Sequence, residues 1–139
     1  MSCAKCAVRV YNNTAQTVTA TATQLTLAGT TVMRTGCSVI PDGNALKINH
    51  GGLYHLAADV TLTPSAAGTV SVQMYLNGVA MPDAITQITV AESGMTTVHV
   101  ETTRLLAVCP CTARSAVSVW ISGVAGTVNW IGTTAIREG

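Results

Sequence analysis

Apolar and polar residues alternate along most of this chain. In YHLAADVTLT, Tyr54, Leu56, Ala58, Val60 and Leu62 fall on one side, and His55, Ala57, Asp59, Thr61 and Thr63 on the other. A period of two is the spacing of a strand with one buried face. The same spacing runs through TVSVQMYLNG, where Val70, Val72, Met74 and Leu76 oppose Ser71, Gln73, Tyr75 and Asn77. It recurs in SAVSVWIS, where Val117, Val119 and Ile121 oppose Ser118, Trp120 and Ser122. Val98 and Val100 set against His99 and Glu101 mark 96–106 as another strand, and TVNWIGTTAI (127–136) is a last one rich in strand-forming residues. The Thr-rich stretch 14–31 reads the same way, with Val18, Ala20 and Ala22 alternating with Thr17, Thr19, Thr21 and Thr23.

Turn residues separate these runs: Pro41-Asp42-Gly43-Asn44, Gly51-Gly52, Pro64-Ser65-Ala66-Ala67-Gly68, Asn77-Gly78, Ser93-Gly94 and the stretch 123–126. No segment carries the period of an amphipathic helix. About eight to nine short strands in one chain predict an all-β protein, an antiparallel two-sheet sandwich or jelly roll, with a closed up-and-down barrel as the alternative. NGVAMPDA (77–84) is expected to be a loop longer than a simple hairpin turn and to face a partner. No shift in composition divides residues 1–139, which are read as a single domain with 1–6 as a short N-terminal arm.

Composition narrows the function. Hydrophobic residues make up 48% of the chain and charged residues 9%, with a net charge of +1. A surface so poor in charge has little self-repulsion and tends to associate, which points to an obligate oligomer or a lattice component. The seven Lys and Arg are scattered, and phosphate binding needs them clustered, so nucleic acid is excluded as the main partner. No run reaches the roughly 18 apolar residues of a membrane helix. MSCAKCAVRV lacks the apolar core of a signal peptide, so synthesis in a reducing host cytoplasm is expected. There is no Gly-x-Ser-x-Gly elbow and no phosphate-cradling glycine loop, and the six acids form no constellation. The chain is therefore read as a non-enzyme. Trp120, Trp130 and Tyr75 offer rings that could stack on sugars, though tryptophans on such strands more often serve a core or an interface.

The order of features from His50 onward resembles the C1q/tumour-necrosis-factor-like jelly roll. A Gly-x-Tyr-x-apolar motif, here Gly52-Leu53-Tyr54-His55-Leu56, opens a long central strand. The next strand ends in Leu76-Asn77-Gly78, TTRLLAVCPC leads into AVSVWIS, and TVNWIGTTAI closes the sheet. Leu56 stands where the family usually has an aromatic, and no collagen-like stalk precedes the domain, so the likeness is to a microbial or phage version of the kind found in capsid decoration proteins, fibre heads and spore surfaces. The resemblance implies a homotrimer. It also implies one sheet holding the first, last, third and sixth strands side by side.

That strand order gives the cysteines a meaning. Cys3 and Cys6 precede the first strand, and Cys109 and Cys111 follow the sixth, so all four are expected at the same end of the sandwich. Four thiolates there could hold a tetrahedral Zn²⁺. Free thiols and an intersubunit disulfide are the competing readings. Cys37 is read as a small buried apolar residue. On the polar faces of two strands that the fold makes neighbours stand His55, His99, Asp59 and Glu101. They are either a pH-sensitive or metal-binding patch at a trimer axis or ordinary interface hydrogen bonding. The expected function is a virion structural protein on the virion surface, a trimer that decorates a capsid or caps a fibre and binds a capsid or tail protein. The alternative is a receptor- or carbohydrate-binding head whose partner is a surface glycan.

Overall fold

Each of the strongly alternating segments forms a strand in the computed structural model, which describes residues 6–35, 39–106 and 115–138. In chain order the strands are β1 (Ala7–Asn12), β2 (Gln16–Val18), β3 (Thr23–Gln24), β4 (Thr30–Thr35), β5 (Val39–Asp42), β6 (Ala45–Ile48), β7 (Gly52–Pro64), β8 (Gly68–Leu76), β9 (Val79–Val90), β10 (Thr96–Leu106), β11 (Ser115–Ser122) and β12 (Gly126–Arg137). The described residues contain no helix. The first sheet runs β10-β7-β12-β1-β4, with β2 also paired to β12; the second runs β5-β6-β11-β8-β9, with β3 paired to β11. The pairings are antiparallel. The predicted neighbours, first, last, third and sixth, are present as β1, β12, β7 and β10.

The core lies between the sheets. Tyr54, Leu56, Ala58, Val60 and Leu62 of β7 meet Val70, Val72 and Met74 of β8 and Val117, Val119 and Ile121 of β11, all with 0% exposure. These are the apolar members of the alternation, and burying them fixes each strand's register: a slip of one residue would turn every one of them to water.

Two expectations need correcting. The stretch 14–31 is not one strand. Its Ala20 and Ala22 are exposed, and its buried anchors are Val18, Leu25 and Leu27. The chain uses them to cross from the first sheet to the second, and side-chain amides replace the ladder at the crossing. Gln16 Nε2 donates to the Thr26 carbonyl at 3.0 Å, and the Thr26 amide donates to Gln16 Oε1 at 2.7 Å. The described residues hold twelve strands where eight to nine were expected, and this breakage accounts for part of the difference.

The segment 77–84 is not a long loop either. Asn77 and Gly78 have φ of 52° and 80°, the two positive values of a type I′ turn, and Val79 pairs directly with Leu76. The extra length is absorbed in a bulge: Tyr75 pairs with Ala80 but Gln73 with Ile85. Met81 and Ala84 inside that bulge are buried, and Gln73 Nε2 donates to the Met81 carbonyl at 3.1 Å.

Candidate functional site

The even-numbered side chains of β7 face the core, so the odd-numbered ones form the outer face of the first sheet. The β7–β10 register sets Leu53 opposite Leu105, His55 opposite Thr103, Ala57 opposite Glu101, Asp59 opposite His99, and Thr61 opposite Thr97. All four acid and histidine side chains singled out in the sequence therefore share one column. His99 Nδ1 lies 2.7 Å from Asp59 Oδ1, and its Nε2 lies 3.7 Å from Glu101 Oε2. The same carboxylate oxygen is 3.1 Å from His55 Nε2. His55 Nδ1 reaches Thr103 Oγ1 at 3.3 Å. Two carboxylates and two imidazoles thus alternate as Asp59, His99, Glu101, His55. Among the described residues, no three His, Cys, Asp or Glu side chains are placed to share a metal ion.

The hydrogen bond to Asp59 raises the His99 pKa above its usual 6.5; partial burial opposes this, and the Asp59 and Glu101 charges add to it. A raised folded-state value means folding favours the protonated ring. The contribution is complete below about 6.5 and disappears as pH rises through the folded His99 value. His99 is half-exposed, so solvent keeps the effect on stability small, and the ring itself is the better reporter. An NMR titration of the histidines is expected to place the His99 midpoint above 6.5, and Asp59→Asn is expected to move it down. An unchanged midpoint in that variant would remove the pair.

Beside the column, edge strand β9 of the second sheet meets edge strand β10 of the first. Asp83 on β9 accepts from Thr102 Oγ1 at 2.6 Å and from Arg104 Nη1 at 3.1 Å. The Thr102 hydroxyl is the larger cause of the lowered Asp83 pKa, with its own backbone and Arg104 assisting. Thr86 Oγ1 donates to the His99 carbonyl at 2.7 Å.

Across the same face, sequence reasoning did not foresee a second cluster. Trp130 lies over Gly132, occupying the space a Cβ would fill. Tyr11 stacks beside it with ring centroids 6.2 Å apart, and Arg9 stands 5.6 Å from the indole centroid. Arg9 also donates to Thr134 Oγ1 at 2.8 Å. The only sequence signal was a glycine two residues beyond a tryptophan in a strand otherwise rich in β-formers. On the outer face of the second sheet, Tyr75 and Trp120 stack at 4.9 Å.

Of the proposed zinc ligands, Cys3, Cys109 and Cys111 lie outside the described residues. Cys6 is fully buried, and its carbonyl accepts from the Arg137 amide at 2.7 Å. The start of β1 and the end of β10 do lie at the same end of the first sheet: Ala7 pairs with Ile136 and Leu106 with Gly52, and Tyr54, two residues on from Gly52, pairs with Arg137. Cys37 is outside the described residues as well.

No family model matches the chain, and no curated protein matches it in sequence. Solved structures do match. Murine APRIL at pH 5.0 has a TM-score of 0.72 at 11% identity, covering 97% of this chain and 100% of that one. The PRD1 vertex protein P5 has a TM-score of 0.73 at 11% identity, covering 96% of this chain and 97% of its own. The globular domain of zebrafish complement 1qA has a TM-score of 0.60 at 9% identity, with 94% of each chain covered. At such identities the likeness concerns the fold: this is a jelly-roll sandwich of the tumour-necrosis-factor and C1q kind.

Proposed function

We propose that this chain is a virion structural protein that works by binding, as a trimer that decorates a capsid or heads a fibre. The observation that carries the reading is the likeness, over nearly the whole of both chains, to a protein described as a vertex protein. Two features of the chain agree with it. Charge is scarce, and the first sheet presents a broad outer face fit to be covered. On this reading the protein is made in the host cytoplasm and ends on the particle surface, held by a capsid or tail protein. Immunogold labelling of particles from a culture that makes the chain is expected to mark particle surfaces. Label confined to cell debris would overturn the assignment.

A receptor- or glycan-binding head is the second reading, favoured by the stacked Tyr75–Trp120 pair. Gln73 and Gln24 flank it, both register partners of Trp120, and such rings with amides beside them suit the face and hydroxyls of a sugar. A glycan array without hits would remove it.

A further inference from the structure

The outer face of the second sheet is nearly free of charge. β3, β8 and β11 contain no charged residue, and β9 contains only Asp83, which Thr102 and Arg104 engage at the sheet edge. Lys47 and Asp42 border the face on β6 and β5 and bind each other at 2.8 Å. In the middle of this face Trp120 stacks on Tyr75, and its indole Nε1 donates to Ser118 Oγ at 3.2 Å. Ser118 is the register partner of Tyr75, so it faces outward with it, yet it is only 6% exposed because the rings roof it. Both rings keep part of their surface exposed. Stacking and the indole hydrogen bond therefore fix an aromatic platform before any ligand arrives.

Three glutamines surround the platform. Gln24 and Gln73 are both register partners of Trp120, and Gln87 lies one row further along, opposite Ser71. Each is tied down through its amide nitrogen. Gln73 Nε2 donates to the Met81 carbonyl at 3.1 Å, Gln87 Nε2 to Ser71 Oγ at 2.9 Å, and Gln24 Nε2 to the Asn44 carbonyl at 3.5 Å. Among the described residues, no donor meets Oε1 of any of the three. From Tyr75 to Ser71 is four residues of β8, about 14 Å at the usual rise. The strip thus offers ring surface and amide oxygens, with its one bordering cation already paired.

We infer that this strip binds a neutral oligosaccharide, with a pyranose ring against the Tyr75–Trp120 pair and its hydroxyls donating to Oε1 of Gln24, Gln73 and Gln87. The occupant follows from complementarity. Aromatic faces carry the negative side of a quadrupole and attract the polarised C–H groups of a sugar ring. Amide oxygens accept from O–H donors. Both repel anions, and no free cation stands on the face to offset that, so a sialylated or sulfated glycan finds nothing to pair its charge. An ammonium would suit the rings, but β3, β8 and β11 supply no carboxylate for it. The inference rests on the reading of the chain as a glycan-binding head and gives that site its ligand class.

An array carrying neutral oligosaccharides beside their sialylated and sulfated counterparts, probed with the wild type, Trp120→Ala and Gln87→Leu, tests it. The wild type is expected to bind neutral glycans and to pass over the charged counterparts. Trp120→Ala is expected to bind them about tenfold more weakly, and Gln87→Leu about fivefold. Trp120→Ala also removes the roof over Ser118 and so disturbs the sheet. Gln87 is exposed and, among the described residues, its side chain meets only Ser71, so Gln87→Leu reads the strip in an intact fold. A preference for the charged glycans, or either variant binding as the wild type does, would overturn the strip and leave a glycan-binding head that uses another surface. An array on which the wild type binds nothing would overturn both.

Discussion

Replacing Tyr54 with alanine is expected to cost about 3–5 kcal/mol of folding stability, the usual loss when a large buried aromatic is removed. Tyr54 has 0% exposure and heads the fully buried side chains by volume. Its ring enters the core at the start of β7, and its hydroxyl donates to the His50 carbonyl at 2.8 Å, fixing the Gly51-Gly52 turn against the strand it opens. Tyr54→Phe keeps the ring and loses that hydrogen bond, so about 1 kcal/mol is expected. Urea unfolding of both variants separates the two contributions. An alanine variant no less stable than the phenylalanine one would mean that the ring is not part of the core.

The second large effect is expected at Gly123, between β11 and β12. Its φ is 108°, a conformation that L side chains rarely adopt, and a Cβ there would fall onto the Thr69 carbonyl oxygen of β8. Its amide donates to the Ala20 carbonyl at 3.0 Å, so the backbone is held from both sides. Gly123→Ala is expected to lose at least about 1–3 kcal/mol from backbone strain, with a further loss from displacing β8. Gly43 is the matched control. Its φ is 58°, and nothing lies within 4 Å of the position a Cβ would take. Gly43→Ala is expected to cost only about 1 kcal/mol. Equal losses at the two positions in thermal unfolding would contradict the close approach.

The strands that alternation revealed are those with one strongly apolar side. β7, β8 and β11 bury apolar side chains at every second position, and β10 does so at Val98 and Val100, so a period of two was visible; β12 was legible from its strand-forming residues. β4 buries none of its residues and, among the described residues, pairs only with β1, so no period marks it. In 14–31 threonine and alanine alternate without an apolar stripe, and what decides the path is the Gln16 amide holding Thr26, a contact between residues ten apart. The bulge after Asn77-Gly78 is hidden for a similar reason: the turn is legible from its two residues, but the unpaired stretch depends on Met81 and Ala84 finding the core.

The candidate site was legible in outline. Parity alone put His55, Asp59, His99 and Glu101 on polar faces, and the resemblance made their strands neighbours. Which acid meets which histidine depends on a register that neither source fixes. The Arg9–Trp130 surface is less legible still. It joins residues far apart in sequence, and it depends on Gly132 leaving room for an indole. Strand order puts the thiols at one end of the sandwich; the start of β1 and the end of β10 lie at that end with β12 and β7 between them, and Cys3, Cys109 and Cys111 lie outside the described residues.

The central proposal is a jelly roll that acts by binding, as a trimer. A native mass spectrum of the full chain, purified without chelator, tests it most directly. The account predicts a single dominant species at three times the chain mass. A spectrum dominated by the monomer at micromolar concentration would contradict it.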